Sequence, residues 1–196
     1  MPAVLINLLL PMRIIAGKFK GRSLKSPKGE ITRPTTDRVR TSVFNLLYSR
    51  MEMRSARVLD MFAGTGALGI ESMSRGAEST TFIELNRTVL ELTKQNASMF
   101  GIEKQCWFQL GDAVGFIQKY RGPQFDVVFA DPPYELEAIP QLPEWVFPHL
   151  QPEGLFVLEH DARHSFDDHP ALDTSRAYGR TIVSVFRPAL LNELDD

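Results

Sequence analysis

A chain of 196 residues with 43% hydrophobic content can bury one sizeable core, as a single domain or a domain with a small appendage. The only cysteine, Cys106, excludes an intramolecular disulfide and offers no second thiol to a zinc, which fits a reduced, intracellular setting with Cys106 as an apolar filler. The formal net charge of −2 hides an asymmetry: residues 1–57 hold 12 of the 22 Lys and Arg but only Glu30, Asp37 and Glu52, so that section is +9 and the remainder −11. Such a distribution points to a front segment facing a polyanion and carried on an acidic body.

The opening MPAVLINLLL is apolar but well short of the ~20 residues that span a membrane. It also lacks the leading positive cluster and cleavage site of a signal peptide. It reads as a short extension before a second possible start at Met12. From Met12, IIAGKFKGRSLKSP has strand-like stretches broken by glycines, the pattern of a basic surface hairpin. In TRPTTDRVRTSVFNLL, Val39, Val43, Leu46 and Leu47 recur at helical spacing behind a cap expected at Thr36 or Asp37. Residues 1–50 are therefore expected to form a hairpin-and-helix appendage, and residues 51–196 the main domain.

Strands and helices then alternate. Strands are expected at Arg57–Phe62, Thr80–Leu85, Cys106–Leu110, Phe125–Ala130 and Gly154–His160, with helices to about Arg75, over Asn86–Phe100 and over Ala113–Tyr120. A closing antiparallel strand, Arg180–Phe186, follows a turn at Tyr178 and Gly179. The near-continuous apolar run FDVVFA suits the middle of a parallel sheet covered on both faces. The fold class is α/β, a doubly wound and mostly parallel sheet whose ligands lie beyond the carboxyl ends of the strands.

Chemistry-bearing residues fall at those strand ends. Gly64, Gly66 and Gly69 have G-x-G-x-x-G spacing between a strand and a helix, and Glu84 ends the next strand, the context of an adenosine-cofactor turn. Asp60, Phe62, Gly64, Gly66, Glu84 and Asp112 are the cofactor-binding candidates. A carboxylate at Asp60 would repel a pyrophosphate and attract a cofactor bearing an ammonium and a sulfonium, which favours S-adenosylmethionine over a dinucleotide. Glu84 can accept from both ribose hydroxyls, and Asp112 from the adenine amino group, although Asp112 is also a good helix cap.

The fourth strand runs into Asp131, Pro132, Pro133 and Tyr134. Two prolines fix successive φ angles and contribute no N–H, so the corner presents an acid and carbonyl acceptors. Acceptors of that kind suit an aromatic –NH₂, whose hydrogens they hold while its lone pair turns toward a methyl donor. Asp131 and Pro132 are the catalytic candidates, with Tyr134 as a stacking face for a flipped or unstacked base. The histidines, His149, His160, His164 and His169, lack metal-site spacing, so no metal is expected.

MRIIAGKFKGR, TRPTTDRVRTSVFNLL, VLDMFAGTGALGIESMSRGA, FADPPY and SRAYGRTIVSVF together resemble the RsmD family of bacterial ribosomal RNA methyltransferases. The D-P-P-Y string is shared with many amino-group methyltransferases, including DNA adenine enzymes, whereas TRPTTDRVR is more particular to this family. The resemblance implies a Rossmann-like class I fold and transfer from S-adenosylmethionine to the 2-amino group of a guanine in small-subunit ribosomal RNA. It implies Asp131 and Tyr134 as catalytic and stacking residues, and a ribosomal assembly, including its proteins, as partner. Lys18, Lys20, Arg22, Lys25 and Lys28 suit phosphate contacts, while Arg33, Thr35 and Arg38 precede or begin the helix. A cytoplasmic monomer is expected. The competing readings are a DNA adenine amino-methyltransferase, disfavoured by the lack of a target-recognition domain, and a non-catalytic RNA-binding assembly factor.

Overall fold

The computed structural model describes residues 12–26 and 34–189. The expectations for residues 1–11 and for Lys28 and Arg33 lie outside these. Seven strands form one sheet: β1 (Arg57–Asp60), β2 (Ser79–Glu84), β3 (Cys106–Leu110), β4 (Phe125–Ala130), β5 (Leu150–His160), β6 (Leu172–Tyr178) and β7 (Thr181–Phe186), in the order β3-β2-β1-β4-β5-β7-β6. The first five are parallel, and β7 runs antiparallel to both its neighbours. The sheet order reverses between β1 and β4, where Asp60 pairs with Phe129, and an open α/β sheet leaves its ligand crevice at such a switch point.

Helices α1 (Pro34–Tyr48), α2 (Ala67–Ser74) and α3 (Arg87–Phe100) cover one face, and α4 (Ala113–Lys119) and α5 (Leu142–Val146) the other. Val127, Val128, Phe129 and Ala130 are at most 1% exposed, which explains why β4 shows no polar alternation. Each such Val or Phe contributes roughly 1.5–3 kcal/mol by burial. Asn86 caps α3 by accepting from the N–H groups of Thr88 at 2.9 Å and Val89 at 3.3 Å, and Gly101 ends it at φ 70°.

The front segment shares this core. Ile14, Phe19, Leu24, Val39, Val43, Phe44 and Leu47 belong to the same buried cluster as Val58, Val127 and Phe129, and the rings of Phe44 and Phe129 are 5.8 Å apart. The wholly buried Glu71 carboxylate accepts from the N–H groups of Ile15 at 2.7 Å and Ala16 at 2.9 Å, and from Nε of Arg75 at 2.8 Å. A buried carboxylate survives when its lone pairs are filled this way.

Several boundaries differ from expectation. The front hairpin is reduced to one bridge, Arg13 with Ser23, around a 3-10 turn at Gly17–Phe19, because its polar ends bond to α2 and α3 instead. Helix α1 begins at Pro34, so Thr36 and Asp37 lie within its first turn rather than capping it; proline is well placed at a helix start. β1 stops at Asp60, and β5 starts at Leu150. The edge strand β6 was absent from the expectations: LDTSRAY is half-exposed throughout and shows no apolar alternation to reveal it. The short α5, flanked by 3-10 turns, was likewise not expected.

Candidate active site

The turn after β1 uses its glycines for different reasons. Gly64 has φ 53° with nothing within 4 Å of the point where a Cβ would sit, so its backbone borders open space. Gly66 combines φ 79° with a Cβ position 2.7 Å from Thr93 Cγ2, and at Gly69 a Cβ would meet Phe82 at 2.3 Å. Helix α2 therefore lies close on β2, and Gly64 leaves its ligand-side surface bare. Glu84 accepts from the Gly64 N–H at 3.0 Å and from the Asn86 N–H at 2.8 Å. Thr93 donates to the Gly64 carbonyl at 2.6 Å, and Asn96 to the Thr65 carbonyl at 2.9 Å. The turn is thus held from α3 before any ligand arrives.

A cavity of about 590 Å³ opens beside this turn, and its walls include Asp60, Phe62, Gly64, Asp131, Tyr134 and Glu159. Asp60 is only 2% exposed and accepts from the Gly69 N–H at 3.2 Å. Burial pushes its carboxyl up to about 7; the Gly69 bond opposes the shift, and Asp131 and Glu84 add to it. Asp131 meets solvent at the cavity mouth, yet the protein gathered around that concave corner desolvates its carboxyl and pushes it up to about 6. Glu159 is raised well above the ordinary range by burial, then by Asp131 and Asp60, with Arg40 opposing. An acid-rich cavity of this kind is complementary to cations and hydrogen-bond donors, not to pyrophosphate.

The corner after β4 is rigid. Pro132 is buried, the Pro133 carbonyl accepts from the Leu136 N–H at 2.9 Å, and the Tyr134 carbonyl accepts from Arg163 at 3.0 Å. The Tyr134 hydroxyl lies 3.0 Å from Oγ1 of Thr181. Asp131, Tyr134, Asp60, Phe62 and Gly64 are brought together, with Glu84 bonded to the back of the same turn.

Other sequence candidates sit apart. Asp112 lies beyond β3, outside the cavity wall, where its carboxylate caps α4 by accepting from the Gly115 N–H at 2.6 Å. Lys18 and Lys20 flank Phe19, whose N–H reaches Ser74 at the far end of α2 from the glycine turn. Arg22 is engaged in the fold: it donates to the Met99 carbonyl at 2.6 Å and lies 4.4 Å over the Phe100 ring. Arg38 is exposed beside Val39 and Arg40, which do line the cavity. Among the described residues no group of three His, Cys, Asp or Glu is arranged to hold a metal.

Sequence reasoning missed Glu159, Arg40 and Thr181, all on the cavity wall. Glu159 carried a legible signal, an acid near the end of a buried strand, the same position that singled out Asp60, Glu84 and Asp131. Arg40 sits between Val39 and Val43 on the apolar side of α1 and is 4% exposed, a placement that its charge gave no reason to expect.

The family described as Conserved hypothetical protein 95 matches residues 12–187. The Ribosomal RNA small subunit methyltransferase D of Escherichia coli strain K12 is 35% identical over 193 residues, covering 94% of this chain and 93% of that protein. The solved structure of yhhF from Escherichia coli aligns with a TM-score of 0.77 and 30% identity, covering 89% of this chain and 96% of that one. A SAM-dependent methyltransferase from Agrobacterium tumefaciens shares the fold at a TM-score of 0.64 and 19% identity, over 80% of this chain and 63% of that one. A parallel sheet with an antiparallel β7, a glycine turn held by Glu84 and a D-P-P-Y corner on one cavity agree with these matches, and the chain belongs to the RsmD family of Rossmann-like class I methyltransferases.

Proposed function

We propose that the protein transfers a methyl group from S-adenosylmethionine to the 2-amino group of a guanine in small-subunit ribosomal RNA, within an assembled or assembling subunit. The observation that carries this reading is the shared cavity of Asp131, Tyr134 and the Gly64 turn. S-adenosylmethionine supplies an electrophilic methyl on a cationic sulfur. The residues fit it: the bare Gly64 backbone leaves room for close approach, Glu84 retains lone pairs for ribose hydroxyls, and Asp60 and its acidic neighbours favour positive charge. Asp112 keeps one carboxylate oxygen free of its capping bond for the adenine amino group.

On the substrate side, the Asp131 carboxylate and the Pro132 carbonyl accept the two amino hydrogens of the base. This turns the nitrogen lone pair out of conjugation and toward the methyl. Once methylated, the nitrogen would carry a positive charge, and the Asp131 carboxylate would take its proton. Tyr134, fixed through Thr181, offers its ring to the base. Lys18, Lys20, Lys25 and Arg38 are exposed and serve phosphate contacts, which position the RNA without reading its sequence.

The test offers labelled S-adenosylmethionine with small subunits from a strain lacking the enzyme, beside naked RNA and DNA, followed by nucleoside identification. Label in N2-methylguanosine from subunits is expected. Label in methyladenosine, or in DNA alone, would overturn the reading.

A further inference from the structure

Glu159 stands beside the catalytic corner without a role in the reaction just described. Strands β4 and β5 are parallel with Ala130 opposite Leu158, so the next residues, Asp131 and Glu159, leave neighbouring strands at the same level. Both line the cavity, as does Arg40. The Arg40 guanidinium is committed on one side to the Arg13 carbonyl and the Asp37 carboxylate, while its Nε is buried with no hydrogen-bond partner. Among the described residues Arg40 forms its ion pair with Asp37 and not with Glu159. Glu159 is therefore a partly buried acceptor and Arg40 a donor-bearing group on the wall of the same cavity, beside the amino-group clamp, and partly desolvated polar groups of this kind gain when a ligand pairs with them.

The chemistry of the two candidate bases separates there. Next to its amino group guanine presents N1–H, a donor, and beyond it O6, an acceptor; adenine presents at the same place a bare N1 acceptor. We propose that Glu159 is the residue that selects guanine, its carboxylate accepting N1–H beside the amino group held by Asp131, with Arg40 donating to O6. An adenine in the same pose would set its N1 lone pair against the ionised carboxylate, and only a protonated Glu159 would pair with it. Three carboxyls around one cavity also explain why burial and mutual repulsion raise Glu159, since each awaits a cation or donor from a ligand. The inference rests on the amino-methyltransferase reading and adds the base choice to it.

The experiment compares subunits carrying the target guanine with subunits reconstituted with 2,6-diaminopurine at that position. This base keeps the 2-amino group but has an acceptor at N1 and a donor at C6. The wild-type enzyme is expected to lose about 100-fold in kcat/KM on diaminopurine, in line with a polar site left unpaired. Glu159→Gln, whose amide can donate to N1, is expected to narrow the guanine-to-diaminopurine ratio by about 10-fold or more. Equal wild-type rates on both bases, or an unchanged ratio in Glu159→Gln, overturn the proposal while leaving methyl transfer intact. Failure of the wild type to methylate guanine removes the underlying reading as well. The wild-type comparison needs no variant, so a poorly folding Glu159→Gln does not shield the proposal.

Discussion

The Tyr134 hydroxyl lies 3.0 Å from Oγ1 of Thr181, joining the corner after β4 to the start of β7. The bond fixes the ring that is proposed to stack on the base. Tyr134→Phe keeps the ring and loses only this bond, so kcat/KM should fall a few-fold. Tyr134→Ala removes the ring and should cost about 10- to 100-fold, since base–aromatic stacking is worth roughly 1–3 kcal/mol. Thr181→Ala should match Tyr134→Phe. Steady-state kinetics on subunits check the order; a Phe variant as impaired as Ala would assign the role to the hydroxyl.

Asp131→Ala separates chemistry from binding. Asp131 follows β4, whereas Gly64 and Glu84, the residues proposed to hold the cofactor, follow β1 and end β2. Transfer should fall by a factor of 10³ or more, as when an acceptor and proton-taking group is lost together. The dissociation constant for S-adenosylmethionine, read by calorimetry, should change less than about 3-fold. Loss of cofactor binding would mean that Asp131 serves the cofactor instead.

The raised carboxyls give a pH signature. Asp60 moves from an ordinary 3.8 to about 7 and Asp131 from 3.8 to about 6, so the folded, unliganded protein favours their neutral forms. That contribution to stability is fully present below the ordinary value and is lost as pH rises through about 6 and about 7. Asp60→Asn keeps an acceptor for the Gly69 N–H without the buried charge. It should melt a few degrees higher than wild type at pH 8, with the gap closing toward pH 4. A cationic cofactor prefers ionised Asp60, so its affinity for the wild type should rise with pH up to about 7 and then level. Melting curves and cofactor titrations across this range check both signs.

Among the front cations the structure separates fold from surface. Arg22 bonds to the Met99 carbonyl and covers the Phe100 ring, whereas Lys18 and Lys20 are exposed, Lys18 with only its Nζ 5.5 Å over the Phe19 ring. Arg22→Ala should destabilise the protein by about 1 kcal/mol or more through the lost bond and cation–π contact. Lys18→Ala with Lys20→Ala should lower the melting temperature less than Arg22→Ala while weakening RNA binding and flattening its salt dependence. An unchanged salt slope in that double variant would place the RNA elsewhere.

What could be read beforehand followed the strength of the local signal. β4 was legible because four successive buried residues need no neighbour to identify them, and Asp131 followed because the prolines mark its corner. β6 was not, because its half-exposed residues are held by pairing to β7 and carry no periodicity of their own. Asp60, Gly64 and Glu84 were found from spacing along the chain. Glu159 stood at the same strand-end position and was passed over, whereas Arg40 reaches the site only through helix packing, α1 over the crevice, which no linear spacing encodes.

The glycine turn offers a contrast within a few residues. At Gly69 a Cβ would lie 2.3 Å from Phe82, which is itself fully buried, so Gly69→Ala must push α2 off β2. Overpacking of this kind costs about 1–3 kcal/mol, and the melting temperature should drop accordingly. At Gly64 a Cβ would meet nothing within 4 Å, and the cost is confined to its φ of 53°, about 1 kcal/mol for an L-residue. The new methyl would instead project into open space at the cavity that Gly64 lines, where the methionine part of the cofactor is proposed to lie. Gly64→Ala should therefore fold nearly as well as wild type and bind S-adenosylmethionine at least 10-fold more weakly. If Gly64→Ala bound the cofactor normally, the turn would be a strand-to-helix connection and the cofactor would have to sit elsewhere in the cavity.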